Sequence, residues 1–416
     1  MAKIKHIDSR EILDSRGNPT IETEITLTDG IVERSSVPSG SSKGTYEAFE
    51  LRDGQDRYNG MGVLRAVANV NKIIAPKLQG MDVLDQQKID RAMIEIDGTQ
   101  NKSKLGANGI LSVSQSVAKA GAKTSLLPLP LYLRQFVSGS LGKKIPIPMF
   151  NLIEGGKHAA NTLDFQEFLV VPASSKSYSQ SLELGVSVYQ SLKKVLFERS
   201  ENTSVADEGG FAPNLDINQN GLAITKEAIE RSGFSFSLDA FIGLDVAANS
   251  FRAGKVYKIK DRAIPYDQDD LVELYRTLLS DYSLLYIEDP FAEDDWEGWK
   301  KIYSAIGDKT LIVGDDLVTT NPYRLQLALD NKVVGGVIIK PNQIGTITEA
   351  IAVSEIARYT GLKIIVSHRS GETMDTFIAD FAVGIGADYV KFGAPARERV
   401  SKYNRLSEIE TDFQNL

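Results

Sequence analysis

At 416 residues the chain exceeds what one hydrophobic core usually supports, so a large domain of about 250 residues with a smaller companion is expected. Its 42% hydrophobic and 25% charged content is that of an ordinary folded protein, while 47 Lys and Arg against 55 Asp and Glu, a net charge of -8, disfavour nonspecific attraction to nucleic acid or anionic membrane. There is no cysteine, which excludes disulfides, thiolate nucleophiles and thiolate metal sites.

The opening "MAKIKHIDSREILDSRG" carries charges where a signal peptide needs its apolar core, and no window approaches the run of about 18 apolar residues that a membrane span requires. A cytoplasmic protein is expected. "TIETEITLTDGIVERSSV" alternates apolar and polar residues about Asp29-Gly30, which predicts a hairpin over residues 20–37. Three helical patterns follow: Val63 to Ile74, Val83 to Ile96, and "NGILSVSQSVAKAGAKTS", whose small residues suit close packing. Strands first and helices after make an α+β domain, and the breaks in "LPLPLY" and "SGSLGKK" place its boundary between residues 1–137 and 138–416.

Beyond that boundary apolar runs alternate with helical segments. Each run ends in a polar group: Asp245, Glu288, Asp315, Lys340, His368 and Lys391, spaced mostly near one strand-plus-helix unit. That rhythm predicts a β/α barrel of the TIM type, in which groups at the C-terminal strand ends converge on one mouth. For a single strand, the polar residue only marks where a buried segment surfaces. Six in series, of selected chemistry, argue for a site.

Asp245, Glu288 and Asp315, brought together, repel one another unless a cation sits between them. Mg²⁺ suits such oxygen ligands, whereas zinc generally wants His or Cys and the chain has three histidines. Asp289 and Asp316, their neighbours, read as helix caps. Lys340 beside a divalent cation has its charged form disfavoured and is a candidate base; a structural lysine paired with a carboxylate is the competing reading. Glu208 in "DEGGFAPN" and Glu167 in "DFQEF" form a candidate carboxyl pair, one of which stays protonated as a general acid. In "SHRSGET", Arg369 and Ser370 beside His368 make a phosphate or carboxylate cradle, with Lys391 as a second cation; a structural arginine held in a salt bridge is the competing reading. "VPSGSSKGTYEAFELRDG" is Gly- and Ser-rich and reads as a loop able to close over a site, or as an ordinary surface loop.

The ordered set "REILDSRGNPT", "VPSGSSKG", "LGANGILSVS", "DEGGFAPN", "LDVAA", "IEDPFAEDDW", "IVGDDL", "IIKPNQIGT", "SHRSGET" and "GAPAR" resembles the enolase family over nearly the whole chain. The resemblance implies a lyase of glycolysis and gluconeogenesis that dehydrates 2-phospho-D-glycerate to phosphoenolpyruvate with two Mg²⁺ per site. A Lys or His base with one or two Mg²⁺ ions is a general property of that superfamily rather than a reading of spacing. Residue by residue, it implies Lys340 as the base at C2 and Glu208, helped by Glu167, as the acid at the C3 hydroxyl. Asp245, Glu288 and Asp315 would hold the first ion and Ser39 the second. Arg369 and Ser370 would take the phosphate, Gln166, His368 and Lys391 the rest of the substrate, and His158 would enter with its loop. A homodimer or higher homo-oligomer is implied, with no nucleic-acid or membrane partner. Against the family pattern stand Glu154, where Asn-Gly-Gly is usual, Phe392 for threonine, Met374 for an acidic residue, and a run "GAPARERV" one residue short. The alternative is an enolase-fold protein with a binding or scaffold role and weak or no activity.

Overall fold

The computed structural model describes residues 2–415 except 41–43, 55, 140 and 160–162. The N-terminal part opens with an antiparallel meander of β1 (Ile4–Leu13), β2 (Pro19–Leu27) and β3 (Val32–Ser36). The β2–β3 turn carries Gly30 at φ 93, a left-handed conformation that glycine adopts without a Cβ penalty, which is where the expected hairpin reverses. Helices follow: α1 (Leu64–Asn69) and α2 (Ala75–Leu78) joined through a π turn, then α3 (Gln86–Asp97), α4 (Ala107–Thr124) and α5 (Leu129–Arg134). The "LPLPLY" stretch read as a break thus starts a short helix, because Pro130 falls in the first turn, where its missing N–H has no intrahelical partner to lose.

Small residues make α4 the element packed on all sides. Ser116 Oγ donates to Thr23 O at 2.8 Å, Ile347 N donates to Ser114 Oγ at 3.0 Å, and a Cβ on Gly121 would meet the Tyr132 hydroxyl at 2.3 Å.

The second part is a closed barrel in the order β4 (Ile147–Glu154), β5 (Glu167–Pro172), β6 (Ala240–Asp245), β9 (Leu284–Glu288), β10 (Leu311–Gly314), β11 (Gly336–Ile339), β12 (Lys363–Ser367), β13 (Tyr389–Lys391). A two-stranded ribbon of β7 (Arg252–Ala253) and β8 (Val256–Tyr257) lies outside it. The outer helices are α6 (Tyr178–Glu198), α7 (Asn218–Arg231), α8 (Gln268–Tyr282), α9 (Trp296–Ile306), α10 (Pro322–Asn331), α11 (Pro341–Ile344), α12 (Ile347–Tyr359), α13 (Phe377–Gly384) and α14 (Val400–Asn415). The helix α6 begins at a capping box, Ser177 accepting from Gln180 N–H while the Gln180 side chain accepts from Ser177 N–H. Met149, Leu169, Val171, Tyr286, Val313, Ile338 and Ile365 fill the barrel interior as a packed core.

The strict strand–helix alternation expected from the sequence holds only from β6 onward. No helix separates β4 from β5, and two helices separate β5 from β6, so β5 runs antiparallel to both neighbours. Running backwards, β5 brings its first residue, Glu167, to the end of the barrel where the other strands finish. The N-terminal domain is pinned to that same end. Lys119 pairs with Asp375 at 2.7 and 2.8 Å, Lys102 with Glu349 at 2.9 Å, and Ser39 exchanges backbone hydrogen bonds with Gly371 at 2.8 and 2.9 Å. Among the described residues no helix is long and apolar enough to cross a membrane.

Candidate active site

The register of the strands lines up the carboxylates. Glu154 pairs with Glu167, Glu167 with Asp245, and Asp245 with Glu288, so four acidic residues stand side by side at one barrel end. Asp315 and Lys340 lie one residue past β10 and β11, and His368 one past β12. Pro341 answers for the abrupt end of the apolar run before Lys340: it starts α11, and Lys340 is the N-cap that turns from strand to helix.

Asp245, Glu288 and Asp315 are all buried. The Lys391 ammonium sits among the first two, 3.1 Å from Asp245 Oδ2 and 2.8 Å from Glu288 Oε2, and also 3.1 Å from Glu167 Oε2. Lys340 Nζ bonds Asp315 Oδ2, and Gln343 Nε2 donates to the other oxygen at 3.0 Å. Burial, then the Asp245 charge, push Glu288 up to about 8. Burial alone would raise Asp315 and lower Lys340, but their mutual attraction wins, holding the carboxyl down and the ammonium charged. Two lysines answer the crowding of these carboxylates, Lys391 beside Asp245 and Glu288 and Lys340 beside Asp315. Buried oxygen donors of this kind fit a hard divalent ion such as Mg²⁺, while the groups whose ligand atoms lie within 4.8 Å of one another among the described residues are His158, Glu167 and Glu208, and Asp289, Asp315 and Asp316.

Asp289 and Asp316 are not helix caps. Asp289 is buried at φ 42 and accepts from the N–H groups of Asp315 at 3.0 Å and Asp316 at 2.7 Å, so it shapes the turn that carries Asp315. The caps of α9 and α10 are Asp295 and Asn321.

Across the mouth, Glu208 is buried among donors. Ser370 Oγ donates at 2.9 Å, Asn151 Nδ2 at 3.2 Å, and His368 Nε2 lies 3.0 Å away. His158 Nδ1 stands 3.6 Å from Glu167 and 3.7 Å from Glu208. Burial would raise both carboxyls. Glu208 is nevertheless drawn well below the usual range by His158 and His368, whereas Glu167 stays well above it, with Glu208 among the negative charges that hold it there. Burial pushes His368 down to about 4. The two glutamates therefore differ in proton affinity, Glu167 holding a proton more readily than Glu208.

Gln166 joins the same rim, donating from Nε2 to Asp245 Oδ2 at 3.3 Å. Arg369 is buried and bound by a residue not singled out from the sequence. Its NH1 donates to Glu47 Oε2 at 2.9 Å, its NH2 to Glu47 Oε1 at 3.2 Å, and NH1 also to Asn342 at 3.2 Å. Glu47 lies in the Gly- and Ser-rich loop that the sequence marks as a candidate lid, and that is the only signal pointing to it. Thr45 and Tyr46 dock the same segment on Glu293 and Asp294, with the Tyr46 ring 4.0 Å from the Arg324 guanidinium. Ser39 is buried and bonded elsewhere: its hydroxyl donates to Asp14 at 2.6 Å and accepts from Arg16 at 3.1 Å, a network apart from the three carboxylates. Ser41, Ser42 and Lys43 of that loop lie outside the described residues.

The departures from the family pattern fall in different places. Phe392 is buried edge-on to Tyr403 and fills space behind the rim, while Met374 is exposed. The shortened "GAPARERV" run delivers Arg399, whose guanidinium donates to Arg369 O at 3.1 Å, Asp207 O at 3.1 Å and Ser370 O at 2.5 Å, tying the two loops together. Glu154 is buried beneath the Glu208 turn.

A barrel whose mouth gathers three carboxylates, two lysines, an arginine and a coupled carboxyl pair is that of a metal-dependent enzyme acting on a small anion. Residues 4–133 match the family model described as the enolase N-terminal domain, and residues 142–415 match the enolase C-terminal TIM barrel domain. An enolase of Methanopyrus kandleri is 48% identical over 416 residues, covering 99% of this chain and 96% of that protein. The chain belongs to the enolase family, and is accordingly a carbon–oxygen hydro-lyase that uses Mg²⁺.

Proposed function

We propose that the chain interconverts 2-phospho-D-glycerate and phosphoenolpyruvate through the residues just described, the roles following the resemblance and the geometry together. The observation that carries this reading is the placement of the base and of the glutamate that helps the acid. Lys340 follows β11 and Glu167 opens β5, which lie four strands apart in either direction around the eight-stranded ring. A proton taken on one side and a hydroxyl protonated from the other leave a substrate lying between them from opposite faces.

Lys340 removes the C2 proton. Before it does so its ammonium must lose its proton and its hold on Asp315, which happens when positive charge is supplied to Asp315 from elsewhere. Glu208 delivers a proton to the departing C3 hydroxyl, and Glu167 stores that proton in the resting state. His158, between the two, lies within reach of both carboxyls. Arg369 and Ser370 take the phosphate, for which the guanidinium fork is suited, and Gln166, His368 and Lys391 orient the remainder. Asp245, Glu288 and Asp315 hold the first Mg²⁺; Ser39 is the residue that the resemblance assigns to a second ion. Bound Mg²⁺ supplies the positive charge against which a proton next to a carboxylate becomes removable.

The boundary between the capping domain and the barrel falls at 137/138. A cytoplasmic homodimer or higher homo-oligomer assembled through the smaller domain completes the reading. The test is the ultraviolet absorbance rise of phosphoenolpyruvate when purified protein meets 2-phosphoglycerate. A rise that needs Mg²⁺ is expected, and full activity in excess chelator, or no rise from folded protein with Mg²⁺, would overturn it.

A further inference from the structure

Glu154 is a buried carboxyl that the reaction above does not touch. It ends β4, and its two oxygens each accept a backbone hydrogen bond from the turn that carries Glu208: Oε2 from Glu208 N–H at 3.2 Å and Oε1 from Gly210 N–H at 2.6 Å. The turn is shaped around this carboxyl. Gly209 sits at φ 90, and a Cβ on Gly210 would lie 2.9 Å from Glu154 Oε1. The same strand also holds the chain just beyond, Glu154 N–H donating to Phe211 O at 2.9 Å and Phe211 N–H to Leu152 O at 2.8 Å. Burying a carboxyl is costly unless its oxygens are well satisfied, so a buried glutamate wrapped by one turn is there for that turn.

The groups that face this arrangement come from every side. Tyr189 on α6 donates from its hydroxyl to Gly209 O at 2.9 Å, and Arg399, before α14, donates to Asp207 O at 3.1 Å. Glu167 on β5 is the register partner of Glu154, while His158, His368 and Ser370 meet the Glu208 side chain. Tyr189 and Arg399 hold carbonyl groups of the turn. Through both of its oxygens, Glu154 takes N–H groups that flank the Glu208 side chain on the same turn.

We propose that Glu154 is a positioning residue for the acid half of the reaction, fixing the 207–210 turn through two backbone N–H groups and so setting the Glu208 carboxyl against His368, Ser370 and Asn151. This rests on the reading of Glu208 as the acid. When ionised, a carboxyl accepts at both oxygens, whereas an amide accepts at one and presents an NH₂ to the other N–H. A small misplacement of a reacting group is worth up to about 100-fold in rate. The effect is confined to the step that uses Glu208, because Lys340 follows β11, a strand that lies three from β4 around the ring.

Glu154→Gln and Glu154→Ala are to be compared with the natural protein for two rates under the same conditions: exchange of the C2 proton with solvent deuterium, and net formation of phosphoenolpyruvate. The expected result is a fall in dehydration of about tenfold in Glu154→Gln and more in Glu154→Ala, with KM and C2 exchange changed by less than about threefold. An equal fall in both rates, or a lower Tm with both rates reduced together, would mean a structural role only and would overturn the proposal, as would two unchanged rates. Should Glu154→Ala not fold, Glu154→Gln alone decides. Glu208→Gln, measured alongside, separates the two readings. If it too leaves dehydration intact, the assignment of the acid is at fault; if it blocks dehydration while both Glu154 variants do not, the positioning role is.

Discussion

The two sides of the barrel mouth are built differently. Asp245, Glu288 and Lys391 are the last residues of strands, and Asp315 and Lys340 come one residue later, so their positions follow from strand register and barrel closure. Glu208 and His158 sit on loops between elements, whose own turns are closed by Ala206 N–H on Gly210 O at 2.8 Å and His158 N–H on Gly155 O at 3.0 Å. They are held by contacts from distant parts of the chain: Asn151, Ser370, His368, Glu167 and, through the backbone, Glu154 and Arg399. A strand-borne group is rigid by construction, whereas a loop-borne group is only as well placed as the surrounding groups make it. Lys340, the proposed base, belongs to the first kind and Glu208, the proposed acid, to the second.

The largest effect should come from setting one side against the other. Lys340→Ala is expected to lower C2 proton exchange by about 10²–10⁴-fold, the usual worth of general base catalysis. Glu208→Gln is expected to keep that exchange while losing dehydration by a similar factor, and NMR in deuterated buffer with the absorbance assay reads both. A reversed pattern would exchange the base and acid labels.

A smaller effect is expected where the Gly- and Ser-rich N-terminal segment touches the strand side. Glu47 occupies the Arg369 guanidinium with both carboxylate oxygens, so an incoming phosphate competes with it. Glu47→Gln should lower KM for 2-phosphoglycerate by roughly 3–10-fold, since an amide is a weaker competitor for a guanidinium than a carboxylate. A KM that rises instead would identify Glu47 as an anchor for the segment.

The least effect on chemistry is expected at the domain junction. Burial would raise the Asp375 carboxyl, but Lys119 wins and draws it below its ordinary value. A carboxyl whose folded value is depressed contributes stability that is present above the ordinary carboxylate range and is lost as pH falls through the depressed value. Asp375→Asn should therefore cost about 3–5 kcal/mol near neutral pH, seen as a lower Tm, and the gap to the natural protein should narrow in acid. Both partial rates should survive at temperatures where the variant is folded.

Much of this was legible in the sequence. The ends of the apolar runs name six of the groups at the mouth, because a parallel barrel places every strand's C-terminal end on one side and register does the rest. Gln166 and Glu167 in "DFQEF" are expected at a strand end, and Glu167 stands at one, but it is the first residue of β5, and only the reversal of that strand brings it to the mouth. Two helices between β5 and β6, against none between β4 and β5, mark that reversal, although the apolar pattern of β5 alone reads the same in either direction. Asp289 and Asp316 read as caps from the sequence because local pattern cannot tell a carboxylate that caps a helix from one, such as Asp289, folded under a buried turn.

What the sequence determined by itself is the chemistry available: an acidic chain without cysteine, a strand–helix rhythm that closes a barrel, and carboxylates and lysines at the strand ends. What only the tertiary structure decided is which of these groups share charge and protons. Lys391 stands among three carboxylates, Glu47 covers Arg369, Ser39 is bonded to Asp14 and Arg16, and Glu154 lies under the Glu208 turn. The physical reason is range: strand ends are placed by local periodicity, but proton affinity and loop position depend on burial and on charges brought together from remote parts of the chain, to which local pattern is blind.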